Sequence, residues 1–567
     1  MLDQGNIGMQ LDGLPVCENG GGKDQGGTNP AVPSNQRPVS RNSGFTIALI
    51  LVAFLAAGLA IRLRDIDTPL TRTRDTQTAS ITANLDRDGV RGLFYPRVNY
   101  PGDHPGYLAF EFPLLNAAQV IVARTFPWVG ETALKFPSLL SYLILTLSVF
   151  DLARRRLDQR AALSSVALLT IFPLSITTSV SPAPDLTAVS LSVFAIAALD
   201  RHLDSGRWST LLASAISFSA ASLVKAPMLI IILPCGALIL RRRGWGALLN
   251  RRMVIMFALA LLPLIAWMIH SHSVNANSQL TAFNTAGDLV ANYMKQRGRV
   301  GLYTDPQWYS RLWLNLVDGF TWPGLAVAFL GLLVALAIRS PWRVVHLTWL
   351  AALAFYVGVF PFHLATHRYY ALPLAPLLAV SGGLFLSWIT TRASFKTSVV
   401  GWVVAAGSCG YIASTVPRSM TVNASYNHCQ VVFGEVAKSL TVEGDLLVAA
   451  APGLSVWDAS LLYRSDRRGW ILSLPAKPLP WQSKWNRETD APPRPVVNED
   501  VLIKNLEYAR NQGATMIGIL GRERRPMRVP PKFLRYLNRN YPEVVSLQCC
   551  TFFDLSRKIR RRRSVKE

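Results

Sequence analysis

Long runs of apolar residues alternate with short charged segments along most of the chain. The first run extends from Phe45 to Ile61, and further runs follow at 132–152, 161–179, 185–200, 208–223, 226–240, 252–270, 323–338, 343–361, 370–391 and 397–416. A helix needs about 20 apolar residues to cross a bilayer, and several of these runs are near the lower limit. The pattern predicts a polytopic α-helical membrane protein with about eleven spans.

Composition supports this reading and excludes a nucleic-acid-binding protein. Half of the 567 residues are hydrophobic and only 16% are charged, whereas soluble domains carry about 25% charge. The net charge of +24 comes from basic clusters between apolar runs, where the positive-inside rule places them. No basic groove rich in aromatic residues accompanies these clusters.

The basic clusters also predict the orientation in the membrane. They follow every second span, beginning with Arg154, Arg155 and Arg156 after the second. We therefore expect these connections and the N-terminus to lie in the cytoplasm. The membrane is expected to be the plasma or inner membrane of the cell. The C-terminus is then expected outside.

The chain divides into three regions. Residues 1–44 are rich in Gly, Asn and Pro, which predicts a disordered cytoplasmic tail. Residues 45–416 form the membrane-embedded domain, with large outer loops at 64–110 and 271–322. Residues 417–567 form an extracytoplasmic domain.

The pattern of the last region indicates a small α/β domain. DLLVAAA, GWILSL and ATMIGIL read as strands, WDASLLYRS as a short helix, and VLIKNLEYARNQG as a helix that ends at a glycine. Cys429, Cys549 and Cys550 lie here, where oxidising conditions permit a disulfide. We expect Cys429 to pair with Cys549 or Cys550, a choice that the sequence leaves open.

Once orientation is assigned, the unusual polar residues fall on the outer side. Ionisable residues near membrane depth are expensive and usually functional. Acids and bases gathered there with cations suggest a site for a phosphate-bearing, lipid-linked substrate. The members are Asp75, Asp103, His104, Glu111, Asp185, Lys225, His363, His367 and Arg368.

Each of these residues also has a purely structural interpretation. Lys225 could extend to the interface to keep its charge in water, and Asp185 could cap the helix that follows it. His363 could be a polar interface residue, and Glu111 could cap the next segment. The functional hypothesis therefore depends on their shared side of the membrane.

Several motifs resemble bacterial glycosyltransferase family 39, which includes relatives of protein O-mannosyltransferases and of aminoarabinose transferase. They are RDTQTASITANL with LFYPRVNYPGDHPGYLAFEFPLLNAAQVIVARTF, then SPAPDLTAVSLSVFAI, SLVKAPMLIIILP, HRYYALPLAPLLA and LLYRSDRRGW. The resemblance covers most of residues 45–475. It implies a GT-C type membrane enzyme that transfers a sugar from a polyprenyl-phosphate carrier to a lipid, glycan or protein acceptor outside the cytoplasm.

The family uses a carboxylate of the first outer loop as catalytic base. Its acidic pair matches Arg74 and Asp75, so one carboxylate remains here. Gln77 stands where many close relatives have Asp, and Arg368 replaces an acidic residue of the His-Tyr-Tyr motif. These departures leave a changed specificity or a loss of activity open.

The chemistry of sugar transfer suggests a role for each residue. A sugar hydroxyl needs a base as the new bond forms, and Asp75 is the first candidate, before Glu111 and Asp103. Cations stabilise the departing phosphate. Tyr369 and Tyr370 could stack on the sugar or belong to the aromatic belt. The predicted substrate-binding residues are Arg74, His104, Asp185, Lys225, His367, Arg368, Tyr369 and Tyr370.

No Cys/His cluster has the spacing of a metal site, so no cofactor is required, although a divalent ion is compatible with the chemistry. Membrane lipids are expected partners.

A lipid-linked polysaccharide polymerase or ligase shares the substrate class and is the main alternative. A transporter usually shows inverted repeats and broken helices near the midplane, and neither is found in the sequence. A non-catalytic scaffold is the remaining reading.

Overall fold

The computed structural model describes residues 41–64, 66–70, 72–276, 306–337, 342–392, 424–452, 458–474, 499–521 and 529–558. Residues 48–567 form one compact unit, and of the unit before it only the start of the first helix is described. The predicted span at 397–416, the tail at 1–40 and the part of the second loop at 277–305 lie outside the described residues.

Helices account for most of the described chain. The α-helices of its N-terminal part are α1 (Arg41–Leu63), α2 (Thr73–Asp88), α3 (Val90–Phe94), α4 (Leu114–Thr125), α5 (Phe136–Arg156), α6 (Gln159–Ile171), α7 (Pro173–Ser179), α8 (Asp185–Ser205), α9 (Trp208–Val224), α10 (Ile232–Arg243) and α11 (Arg251–Ala276). They are followed by α12 (Pro306–Phe320), α13 (Trp322–Ala337), α14 (Arg343–Val359), α15 (Pro361–Thr366) and α16 (Ala375–Arg392). Short 3-10 helices cover Pro127–Lys135, Ala226–Ile231, Trp245–Leu249 and Arg368–Leu374.

Several described helices are long and apolar enough to cross a membrane. By length and composition there are five, or up to seven if each of two bent pairs forms one span. The five are Phe45–Leu63, Pro127–Arg156, Asp185–Ser205, Arg251–Ala276 and Arg368–Thr391. The bent pairs are α6 with α7, at 64°, and α12 with α13, at 96°. The number eleven is thus not established, because several predicted runs form short or broken helices.

The predicted first outer loop contains more structure than its polar composition suggests. Helix α2 begins shortly after α1, and α4 follows before the 3-10 turn that leads into α5. The predicted second outer loop, 271–322, also contains helix. Helix α11 extends into it as far as Ala276, and α12 (Pro306–Phe320) lies at its C-terminal end.

The apolar helices share one core. It is formed by side chains that are fully or almost fully buried, such as Leu145, Phe172, Leu199, Phe218 and Tyr356. Phe172 packs edge-on against Phe320, with ring centroids 5.3 Å apart, so α12 is held against the helices before it. The core fixes the ends of these helices, where the candidate site residues lie.

A five-stranded sheet with flanking helices forms the C-terminal part. Its strands are β1 (Leu446–Pro452), β2 (Arg468–Leu474), β3 (Ala514–Leu520), β4 (Glu543–Ser546) and β5 (Cys550–Asp554), in the order β2-β1-β3-β5-β4. Strands β2, β1 and β3 are parallel, and β5 pairs antiparallel with β3 and β4. Its helices are α17 (Ala424–Leu440), α18 (Ser460–Ser465), α19 (Glu499–Asn511) and α20 (Pro531–Asn540). The first three strands lie where the apolar pattern predicts them, whereas β4 and β5 were not predicted.

Both faces of the sheet are buried, which explains the continuous apolar run of β1. Because side chains alternate along a strand, Leu447 and Ala449 pack on one face and Val448 on the other. The first face also contacts Val98 and Tyr100 of the first loop. That loop is therefore packed directly against the C-terminal sheet.

A disulfide joins Cys429 of α17 to Cys549, which precedes β5. Cys550, the first residue of β5, is buried and free. This confirms the predicted pairing and resolves the choice between the two partners.

Candidate active site

The N-terminal end of α2 carries Asp75 into the interior. This helix is polar, yet most of the side chains from Asp75 to Leu85 are buried. Its polar groups are satisfied locally: the hydroxyl of Thr82 donates to Gln119 at 2.6 Å, and the amide of Asn116 donates to the backbone oxygen of Thr78 at 3.0 Å. Buried polar groups are tolerated when they are bonded in this way, so α2 can present charged residues beneath the surface.

Asp75 is only 8% exposed, and the hydroxyl of Ser181 donates a hydrogen bond to its Oδ1 at 2.5 Å. Burial raises the pKa of Asp75, and the nearby charges of Arg72, Lys135 and Arg74 offset this only in part. The arginines favour the ionised form, but desolvation of the carboxylate is the larger effect.

A second carboxylate, Glu111, is paired with a cation. Arg74 donates to both of its oxygens at 2.5 Å and also to the side-chain oxygen of Gln77 at 3.1 Å. Gln77, which stands where many close relatives have Asp, thus helps to orient Arg74. Glu111 is thus neutralised by an arginine, whereas the Asp75 carboxylate is held by the Ser181 hydroxyl.

Lys225 and Asp185 form a buried ion pair. Lys225 follows the last residue of α9, and Asp185 is the first residue of α8; they are 6% and 3% exposed. Lys225 therefore does not extend to water, and Asp185 does not act as the cap, which is Pro184. The ammonium group also lies 4.4 Å from the ring centre of Tyr370 and 5.3 Å from that of Tyr369.

The segment after α14 brings an aromatic cluster to the same place. His363 of α15 lies 4.8 Å from Tyr370, centre to centre, and His367 stacks against Tyr369 at 5.5 Å. Arg74 is close enough to interact electrostatically with both tyrosines. The structure thus joins residues that are almost 300 positions apart in the sequence.

Two further arginines belong to this region. Arg368 begins the 3-10 helix after α15 and interacts electrostatically with Arg72, which precedes α2. Each also interacts electrostatically with a carboxylate, Arg72 with Asp75 and Arg368 with Asp318. Like charges held near each other are unfavourable unless an anion lies between them.

Sequence reasoning did not assign a role to Ser181 or Lys135. Ser181 opens the SPAPD turn that was already singled out, so a signal existed. Lys135 is 1% exposed and its ammonium donates to the backbone oxygens of Ile66 and Thr68, at 2.5 and 2.6 Å. These backbone oxygens lie 69 and 67 positions before Lys135. Such contacts cannot be predicted from residue types, because every residue has a backbone oxygen.

Asp103 and His104 lie elsewhere. They line a cavity of about 390 Å³ together with Asp88 and Arg468. Asp88 ends α2, and thirteen residues of helix separate it from Asp75, which corresponds to about 20 Å. The structure therefore separates these two predicted site residues from the group around Asp75.

The C-terminal part holds α2 at both of its ends. Thr73 donates to Asp458 at 3.1 Å, and Arg464 of α18 donates to the backbone oxygen of Leu70 at 2.7 Å. At the far end, Arg87 pairs with Asp466. The LLYRSDRRGW motif thus positions the helix that carries Asp75.

Within the described ranges, no group of three His, Cys, Asp or Glu side chains is arranged to hold a metal ion.

The fold has clear relatives among solved structures. ArnT from Cupriavidus metallidurans aligns over 91% of this chain and 98% of its own, with 14% identity and a TM-score of 0.60. The fold is of the GT-C type. ArnT has also been crystallised with undecaprenyl phosphate, and that structure aligns equally well, with a TM-score of 0.60. Most of the GT-C architecture expected from the motifs is therefore present.

Two further comparisons agree with this assignment. Archaeal oligosaccharyltransferase AglB from Archaeoglobus fulgidus, in complex with an inhibitory peptide and a dolichol-phosphate, aligns over 85% of this chain and 70% of its own, with 14% identity and a TM-score of 0.51. Residues 103–270 match the family model of dolichyl-phosphate-mannose-protein mannosyltransferases. A comparison with curated proteins finds no match. The resemblance to GT-C type glycosyltransferases is confirmed.

Proposed function

We propose that this protein is a membrane glycosyltransferase that moves a sugar from a polyprenyl-phosphate carrier to an acceptor at the extracytoplasmic face. The observation that carries the proposal is the buried carboxylate of Asp75, held by the Ser181 hydroxyl. It interacts electrostatically with Arg72, which also interacts with Arg368. A phosphate between the two arginines would remove their mutual repulsion. The bound undecaprenyl phosphate of ArnT and dolichol-phosphate of AglB support this class of carrier.

In the proposed reaction, the acceptor hydroxyl attacks the anomeric carbon of the donor sugar and its proton passes to Asp75. The bond between that carbon and the phosphate oxygen breaks, so the carrier leaves as a polyprenyl phosphate with one more negative charge. Arg72 and Arg368 stabilise this developing charge. Ser181 fixes the orientation of the Asp75 carboxylate through its hydrogen bond.

The two ion pairs have a different role in this mechanism. Arg74 is neutralised by Glu111, and Lys225 by Asp185, so neither cation is the first choice for the carrier phosphate. Their position beside Tyr369 and Tyr370 suits them to hold the rings against which the donor sugar packs.

The test is transfer of label from a radiolabelled polyprenyl-phosphate sugar, supplied with several different sugars, to cell envelopes. The purified protein should transfer at least one of them, and Asp75→Asn should remove the activity. Failure to transfer any sugar would reject the enzyme. Chain growth by repeated addition of preassembled units would indicate a polymerase or ligase instead.

The side of the membrane is tested separately. A reporter that is active only outside the cytoplasm, fused after Glu567, should be active. The same fusion with a reporter that is active only in the cytoplasm serves as the control. Activity of the cytoplasmic reporter alone would move the whole proposed site to the other face.

A further inference from the structure

The cavity beside Asp103 is separate from the group around Asp75 and has its own polar lining. It lies between the segment 88–107 and strand β2, and Tyr95, Tyr107 and Arg468 contribute to its wall. Its volume of about 390 Å³ is within the usual range for small-molecule sites. The mechanism proposed above does not use it.

Two buried atoms of this lining have no hydrogen-bond partner among the described residues. One is Oδ1 of Asp103, whose side chain is 10% exposed, and the other is Nε of Arg468. The other carboxylate oxygen of Asp103 and one terminal nitrogen of Arg468 are held by other contacts. Asp103 Oδ2 accepts from the hydroxyl of Tyr508 at 2.6 Å, and Arg468 donates to the backbone oxygens of Gly102 and His104.

Both residues line the cavity, and each has one atom that lacks a hydrogen-bond partner among the described residues, an acceptor on Asp103 and a donor on Arg468. Hydroxyl groups both donate and accept, so a ligand with several hydroxyls suits such a lining. Charges of both signs are present, because Asp88, Arg91 and Arg97 also line the cavity. The rings of Tyr95 and Tyr107, with centres 5.7 Å apart, add apolar surface. These features together fit a sugar.

We propose that this cavity binds a sugar residue of the acceptor, distant from the one that is modified. The inference rests on the proposed function and names its acceptor class as an extended glycan. Helix α2 connects the two sites, since Asp88 lines the cavity and Asp75 lies about 20 Å away along the helix. A single sugar cannot reach both positions.

The first experiment measures binding of the full-length protein, in detergent micelles, to a printed array of bacterial envelope oligosaccharides. The wild type should bind, and Asp103→Asn should weaken binding about tenfold or more, because it replaces an ionised acceptor. Arg468→Lys keeps the charge but removes the Nε donor, and should act in the same direction. Asp86→Asn, on an exposed ion pair with Arg124, is the matched control.

Tyr508→Phe separates recognition from a structural role. It removes the contact to Oδ2 and leaves Oδ1 unchanged, so it should bind like the wild type. The proposal is overturned if no oligosaccharide binds, or if Tyr508→Phe loses as much binding as Asp103→Asn.

The second experiment uses transfer to cell envelopes. Asp103→Asn should raise the KM for the acceptor about tenfold and leave the KM for the donor unchanged. Transfer with an unchanged acceptor KM would reject the cavity but not the enzyme. The opposite result is array binding that is weakened by Asp103→Asn, together with no transfer of sugar. That result would reject the proposed enzyme but not the proposed sugar-binding cavity.

Discussion

Replacing Asp75 by Asn tests the proposed base with almost no change in shape. The asparagine can keep the hydrogen bond from Ser181 through its own Oδ1, since that bond requires only an acceptor. What is lost is the ability to take a proton. Loss of a general base lowers the rate by about two to four orders of magnitude, so we expect kcat to fall by that factor while the KM for the donor stays near its wild-type value.

The same substitution should not destabilise the protein. Because burial raises the pKa of Asp75, the folded protein holds that proton more tightly than the unfolded chain does. Ionisation then lowers the stability of the folded state as pH rises. At neutral pH, Asp75→Asn removes this unfavourable ionisation, so its Tm should equal or exceed that of the wild type.

The raised pKa also predicts the pH profile. A base acts only when it is ionised, so wild-type activity should fall as pH is lowered, and this fall should begin above the range of an ordinary aspartate, whose pKa is about 3.9. The residual activity of Asp75→Asn should lack that acidic limb.

The assay is transfer of label from the radiolabelled donor, in parallel with a melting curve for each variant. Asp86→Asn is the control, since it changes an exposed aspartate of the same helix. If Asp75→Asn transfers at close to the wild-type rate, the assignment is refuted, and Glu111 becomes the candidate to examine.

Three further predictions concern charge and cross-linking. Arg368→Gln should raise the KM for the donor about tenfold, because a charge-assisted contact with phosphate is lost; unchanged donor affinity would exclude that contact. Lys225→Met should lower the Tm markedly, since one half of a buried ion pair costs about 3–5 kcal/mol to remove, and the double change with Asp185→Asn should recover part of the loss in the same melting experiment. Cys429→Ser should destabilise the C-terminal sheet by about 4–5 kcal/mol in denaturant unfolding, as expected for a loop of 120 residues; equal unfolding with and without reductant would contradict this.

The parts of the fold that follow from local periodicity were predictable. The strands β1, β2 and β3 are continuous hydrophobic segments and form where that pattern predicts them. The described apolar runs form helices, although several of these are short or bent. Helix α2 was predicted only as part of the first outer loop. Its burial depends on Gln119 and Asn116, which lie in another helix, so the helix itself looks solvated when read alone.

The site was predictable in its members more than in its connections. Asp75, Glu111, Asp185 and Lys225 were found from unusual polarity, but their pairing was not. Pairing depends on distances between helices, which residue types do not encode. The separation of Asp103 from the others has the same origin, because a single loop can reach two places that are a full helix apart.

The contacts that hold both ends of α2 have a consequence for the synthesis of the protein. Asp75 is translated early, yet the residues that fix both ends of its helix, Asp458, Arg464 and Asp466, come almost 400 positions later. The contacts that hold the helix of the proposed base are therefore complete only after the C-terminal sheet has been synthesised. We expect a chain truncated before that point to lack the proposed transfer activity, so that the order of synthesis would limit transfer to finished copies.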